Sequence, residues 1–210
     1  MSAKVDLMPT RRGRYREAVV GRVYALVAWV PSRIGVYLRR AVVGWGAAEV
    51  GSGLLLDTGI RITGWANIAL GSNVSMMRFG ALHAHDGSLR IGSNVSINTN
   101  YCIAPANGGR VEIGDNVLIA QNVVIRAADH RHDDIDRPII SQGHVGGEIF
   151  IGEGAWICAN AVITRDVRIG ANAIVGAGSV VTEDVAPFAI VGGVPARLIR
   201  SRLAADTVSK

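Results

Sequence analysis

The feature of this 210-residue chain that most constrains its fold is an aliphatic residue (once Met) returning every six positions. Leu70, Met76 and Leu82 form one set, Ile91, Ile97 and Ile103 a second, Ile113, Ile119 and Ile125 a third. A longer run follows through Ile151, Ile157, Ile163, Ile169, Val175 and Val181. A period of six matches neither a helix face at 3.6 nor the simple alternation of a strand. It fits a short strand, a corner and another strand, with one large residue per side pointing into a shared interior. Three hexads close one three-sided coil, and successive coils pair strand on strand in parallel, about 4.8 Å apart. A single coil buries too little on its own, so stacking is obligatory.

A second pair of columns supports the coil. The residue after the first aliphatic of each coil is glycine: Gly71, Gly92, Gly114, Gly152 and Gly170. Two further on stand Asn73, Asn94, Asn116, Gly154 and Asn172. Asparagine and glycine best tolerate the positive φ that a sharp corner demands. The composition agrees: 49% of residues are hydrophobic but only 5% aromatic, so the interior is built from Val, Ile, Leu and Ala.

The interruptions are equally regular. Three extra residues separate Leu82 from Ile91, four separate Ile103 from Ile113, and twenty separate Ile125 from Ile151. Each falls after a third hexad, so all three lie on one edge of the prism, where a rigid scaffold places its functional loops. The longest insertion carries "AADHRHDDIDRPIISQG", residues 127–143, with two histidines and four aspartates. Upstream, Leu56, Ile62 and Ile68 suggest one more, irregular coil whose register against Leu70 stays open. Residues 11–45 read as two amphipathic helical pieces broken at Pro31 and Gly35. "TEDVAPFAIVGGVPARLIRSRL" leaves the hexad period, and Pro195 followed by "ARLIRSRL" reads as a closing C-terminal helix.

Charge is uneven. Residues 1–50 carry a formal +6 and residues 51–210 carry −1, so the net +5 belongs to the N-terminal segment. The body has no basic stripe interleaved with aromatics, which argues against nucleic acid as a partner. Cys102 and Cys158 are too few for a disulfide framework and sit in no metal-type spacing, which fits a reducing, cytoplasmic setting. The longest apolar run, "VYALVAWV" at 23–30, is far short of the roughly 20 residues that cross a bilayer. It also starts late and lacks a small-residue cleavage site, unlike a secretory signal.

Ile-Gly-x-Asn hexads with an extruded histidine loop resemble the left-handed parallel β-helix acyltransferases of the hexapeptide-repeat family. Galactoside, maltose and polysaccharide O-acetyltransferases are the most similar subgroup. The matching motifs are "INTNYCI", "IGDNVLIAQNVVI", "DHRH", "IGEGAWICANAVI" and "VGAGSVVTEDVAPFAIVGGVPARLIR", over residues 68–202. The resemblance implies an all-β solenoid, a left-handed parallel β-helix over 49–190 with its loop at 126–148. A helical, basic segment (1–48) precedes it and a C-terminal helix and tail (191–210) follow. It implies acetyl-CoA as co-substrate, a sugar or surface-glycan precursor as acceptor, and a homotrimer with active sites between subunits.

The resemblance places His130 as general base, because a neutral imidazole can take the proton of a sugar hydroxyl as it attacks a thioester. No acyl-enzyme is needed, so Cys102 and Cys158 read as packing residues. Asn100 matches a family asparagine at the acceptor, and equally fills a corner slot like Asn122 and Asn160. His132 contacts the acceptor, orients the loop, or is simply solvated. One of Asp129, Asp133, Asp134 and Asp136 is a candidate to orient His130, within a charge cluster that otherwise reads as solvated. His83 and His85, two coils earlier on the same edge, are candidates for the acceptor end. Trp156, Ala159, Gly176, Ala177 and Thr182 fall where the resemblance runs the pantetheine arm, and Arg197 and Arg200 where it meets the CoA phosphates. Glu183 stands where relatives often carry Lys.

Three other readings stand beside this one. The first is N-acetylation of a nucleotide-linked amino sugar on the same scaffold. The second is a zinc enzyme of γ-carbonic anhydrase type, which needs three ligands including an H-x4-H pair. Here the pair is H-x-H with unsuitable partner spacing, so no metal is expected. The third is a non-catalytic scaffold. The basic segment either caps the first coil or lies on a membrane surface through "RIGVYLRRAVV" in 11–45, which would place the chain at the inner face of a membrane.

Overall fold

The structure is a computed structural model, and it describes residues 11–203; the segment expected at 1–10 and the tail expected at 204–210 lie outside the described residues. Two helices come first, α1 (Arg11–Val27) and α2 (Ser32–Gly46). Pro31 marks the break between them, while Gly35 sits inside α2, where a Cβ would stand 1.8 Å from the Val30 carbonyl oxygen.

Six coils follow, each with three strands. They are β1 (Glu49–Val50), β2 (Leu55–Leu56) and β3 (Arg61–Thr63); then β4 (Ile68–Leu70), β5 (Ser75–Met76) and β6 (Ala81–His83). The third coil is β7 (Ser88–Ile91), β8 (Ser96–Ile97) and β9 (Cys102–Ala104), the fourth β10 (Arg110–Ile113), β11 (Leu118–Ile119) and β12 (Val124–Arg126). A hairpin of β13 (Ala128–His130) and β14 (His144–Gly146) leaves the prism here. The fifth coil is β15 (Glu148–Ile151), β16 (Trp156–Ile157) and β17 (Val162–Ile163), the sixth β18 (Val167–Ile169), β19 (Ile174–Val175) and β20 (Val180–Val181). Last come β21 (Ala189–Gly192) and β22 (Arg197–Ser201). Corresponding strands stack into three parallel sheets, one per side of the prism.

The hexad residues are the register partners. Ile91 pairs with Ile113 and Ile113 with Ile151 on the first sheet, Ile97 with Ile119 on the second, Ile103 with Ile125 on the third. All of these are buried in one continuous core. Each such isoleucine contributes about 1.5–3 kcal/mol relative to exposure. The corners behave as the asparagine columns require: Asn73, Asn94, Asn116 and Asn172 all have φ between 56° and 59°. Their amides chain along the axis, Asn73 donating to Asn94 and Asn94 to Asn116, so the corner side chains satisfy one another.

Three expectations change. The first coil is Val50, Leu56 and Ile62, because Leu56 pairs with Met76 and Ile62 with Leu82; Ile68 belongs to the second coil, paired with Leu89. Two extra residues between Ile62 and Leu70 therefore make a fourth interruption on the loop edge. At the far end the period continues one step: Val185 bridges Ile169 and Val191 pairs with Val175, with Phe188 in the corner slot at φ 60°. The expected C-terminal helix is instead a strand, β22, which runs antiparallel to β21 and extends the second sheet. The physical reason is the open edge: β21 ends the sheet with unpaired backbone groups, and Gly192–Gly193 lets the chain turn back onto it. A helix of so few residues has too little length to repay its own nucleation.

At the other end the helices cover the first coil. Val20, Tyr24 and Ala28 of the α1 end and Val43 of α2 join the core, with Tyr24 edge-on to Trp65 at 5.0 Å. Arg39 is buried and donates to the carbonyls of Leu56, Val27 and Val30, pinning both helices to β2.

Candidate active site

The histidine loop is built at the fourth coil. β12 leads through buried Ala127 into β13, and β14 returns antiparallel, with Ala128 opposite Gly146 and His130 opposite His144. Between them the chain bonds to itself. Arg131 N–H donates to the Gly143 carbonyl at 3.0 Å, and the Gln142 amide donates to the carbonyls of Asp134 and Arg137, both at 2.8 Å. The 17-residue stretch from 127 is therefore an ordered projection whose side chains from 130 to 140 are exposed.

His130 lies at the foot of this loop. Its ring faces His144, with centroids 4.2 Å apart and planes at 39°. The expectation that an aspartate orients His130 does not hold for Asp129: its carboxylate pairs with Arg165 at 2.7 Å, and Arg165 also holds Asp166. That pair ties the start of the hairpin to the third corner of the fifth coil. His132 Nδ1 lies 3.1 Å from the His130 carbonyl, so its ring donates there. His144 and Arg165 were not singled out from the sequence. Both lie off the hexad register, and only the hairpin brings His144 to His130 and Arg165 to Asp129.

Below the loop, on the outer face of the third sheet, His83 Nδ1 meets the Thr63 hydroxyl at 3.3 Å. Partial burial holds the His83 imidazole below the ordinary histidine value, and the charges of Arg61, His85 and Arg126 push it further the same way. Arg126 shares the His83 column two coils up, across small, buried Ala104. His85 is exposed on the adjoining turn. Burial also pushes the Cys102 and Cys158 thiols up, away from the reactive thiolate.

The remaining candidates stand elsewhere. Asn100 is at the second corner with φ 59°, donating to Asn122, which donates to Asn160; its corner role is fully met. Trp156 points out of the second sheet, 46% exposed, between Leu118 and Ile174. Ala159, Gly176 and Ala177 lie at the second corner of the fifth and sixth coils, and a Cβ on Gly178 would meet nothing within 4 Å. Ala159, Gly176, Ala177 and Gly178 leave small side chains along this corner, beside Cys158, Asn160 and Ser179. Thr182 is exposed past β20. Arg197 on β22 pairs with Glu183 at 3.3 Å, and Arg200 is exposed on the same strand.

One prism thus separates two groups by the full width of its third sheet: the histidines at the third corner, and Trp156 with the small-residue corner beyond. Surface concavities lie over the first sheet and beside α1, and His130 lines none of these. Among the described residues no cluster of three or more His, Cys, Asp or Glu is placed to hold a metal ion.

Comparison with known proteins agrees with this architecture. Residues 148–183 match the family model described as bacterial transferase hexapeptide (six repeats). Galactoside O-acetyltransferase of Escherichia coli is 37% identical over 122 residues, 56% of each chain. The structure of a hexapeptide-repeat acetyltransferase from Vibrio cholerae complexed with acetyl coenzyme A superposes with a TM-score of 0.62. It is 25% identical and covers 91% of this chain and 90% of that one. An N-acyltransferase from Bacillus cereus, in complex with dTDP and 3-hydroxybutyryl-CoA, gives 0.69 at 25% identity over 78% of this chain and 88% of that one. The chain spans between 30% and 56% of the length of the curated relatives it matches. Its repeat is similar to that of the matched family model, and its coils are similar to those of the hexapeptide-repeat acetyltransferase from Vibrio cholerae.

Proposed function

We propose that this chain is an acetyl-CoA-dependent O-acetyltransferase of a sugar or glycan-precursor hydroxyl, with His130 as general base. The observation that carries the reading is the exposed imidazole of His130, held by His144 at the foot of an ordered loop on a hexapeptide-repeat solenoid. Acetyl-CoA would lie along Trp156, Ala159, Gly176, Ala177 and Thr182, with Arg197 and Arg200 toward its phosphates. Glu183 already engages Arg197, so Arg200 carries more of the phosphate contact. The neutral His130 ring takes the acceptor's hydroxyl proton as the oxygen attacks the thioester carbonyl, then returns it to the departing thiolate. His132 steadies the loop, His83 and His85 line the acceptor end, and Asn100 serves the corner next to the cofactor edge.

The separation of the two groups on one prism supports a site completed by a second copy, as in a homotrimer. Exposed Ile135, Ile139 and Ile140 on the loop offer that copy an apolar seat. An amine acceptor is the second reading, favoured by the likeness to the N-acyltransferase; an amine needs less help from a base.

The test is thiol release from acetyl-CoA against panels of sugars, amino sugars and oligosaccharides. His130→Ala should lower turnover about 100-fold or more while calorimetry still detects acetyl-CoA binding. Undiminished turnover removes His130 as base, and a wild-type chain that binds no CoA removes the transferase reading altogether.

A further inference from the structure

The capping helices have a second face that nothing among the described residues covers. On α2 the buried side is Gly35, Arg39, Val43 and Gly46. The opposite side shows Ile34, Tyr37, Leu38, Ala41 and Trp45, which recur at the three- and four-residue spacing of one helix face. Ile34 and Tyr37 are 67% and 66% exposed, and Leu26 and Trp29 on the α1 side are 80% and 65% exposed. A domain normally turns such a stripe inward. Here the inward side is already committed to the first coil, so the outer stripe is surplus to folding, and a contiguous apolar patch of this kind marks an interaction surface.

Its charge identifies the occupant. From residue 15 to 46 the acidic residues reduce to Glu17, whose carboxylate accepts the Gly64 N–H. Arg22, Arg33 and Arg40 flank the stripe, and none of them pairs with a carboxylate among the described residues. A second copy docking this face onto its own equivalent would press the two arginine fringes together. Anionic headgroups do the reverse. Tyr37, Trp29 and Trp45 suit the headgroup level and the aliphatic residues the acyl boundary. Among the described residues no helix is long and apolar enough to cross a membrane, so the contact lies in the interface plane.

We infer that the outer face of α1 and α2 is a docking surface for anionic phospholipid bilayers, with the first-coil end of the solenoid standing on the membrane. The histidine loop, three coils up, would then sit about 15 Å above that end. The inference is independent of the catalytic reading.

The experiment is co-sedimentation of the full chain with vesicles of phosphatidylcholine alone or with 30% phosphatidylglycerol. Binding is expected only to the anionic vesicles, weakening at least tenfold at high salt and shifting tryptophan emission to the blue. Ile34→Ser/Tyr37→Ser/Trp45→Ser, all at exposed positions, should bind at least tenfold more weakly with unchanged thermal unfolding, and Arg22→Gln/Arg33→Gln/Arg40→Gln should lose the preference for anionic lipid. No sedimentation with anionic vesicles, or equal sedimentation by the stripe variant, overturns the proposal. A stripe variant whose mass by light scattering drops while wild type ignores vesicles assigns the face to a second copy instead.

Discussion

His130 and His144 meet because an antiparallel pair sets opposite residues side by side, and the imidazole contact at 4.2 Å limits how far either ring can turn. A base that must reach a hydroxyl loses rate when its ring is free to rotate. His144→Ala should therefore cut turnover about tenfold with the KM for acetyl-CoA unchanged, whereas His144→Phe, which restores a ring, should recover most of it. Equal losses for both would assign His144 a role beyond packing. His83 makes a separate prediction. Its proton affinity is depressed by burial and by Arg61, so nuclear magnetic resonance should place its midpoint below 6.5, and Arg61→Gln should raise it. The sign for stability follows: the unfolded chain takes the proton first. The contribution of His83 is thus complete above about pH 6.5 and is lost as pH falls through the folded midpoint.

At the scale of elements, the corner columns decide what fits. Gly80 and Tyr101 occupy the same inward slot in successive coils, and the Tyr101 ring fills the space that Gly80 leaves: a Cβ on Gly80 would stand 2.0 Å from Cζ. Gly80→Ala should cost about 3 kcal/mol by overpacking, read by chemical denaturation. Tyr101→Val in the same chain should return most of that loss, since Val123 fills the slot one coil up. Independent, additive losses would sink the pairing. β22 teaches a related lesson. "ARLIRSRL" has a helical composition, yet the open edge of β21 outweighs local preference because paired strand edges satisfy backbone groups that a short helix would leave to solvent.

At the scale of the molecule, His130 and Trp156 stand on either side of one sheet, and on the proposed reading a working site would draw on a neighbouring copy. Light scattering should return three times the chain mass. Co-expressing a His130→Ala chain with an inactive Trp156→Asp chain should restore part of the turnover that each lacks alone, and no recovery would confine the site to one copy. What the sequence by itself determined was the lattice: the hexad period, the positive-φ corners and the edge that carries every loop. Those are local properties, written by side-chain size and backbone conformation at each corner, and they repeat often enough to be counted. Only the tertiary structure decided that Asp129 serves Arg165 and that His144, not an aspartate, faces His130. It alone decided that β22 is a strand and that the capping helices keep an apolar face that no other described residue covers. Each depends on which backbone edge or side-chain face is left unsatisfied once the coils have stacked, and a repeat period carries no record of that.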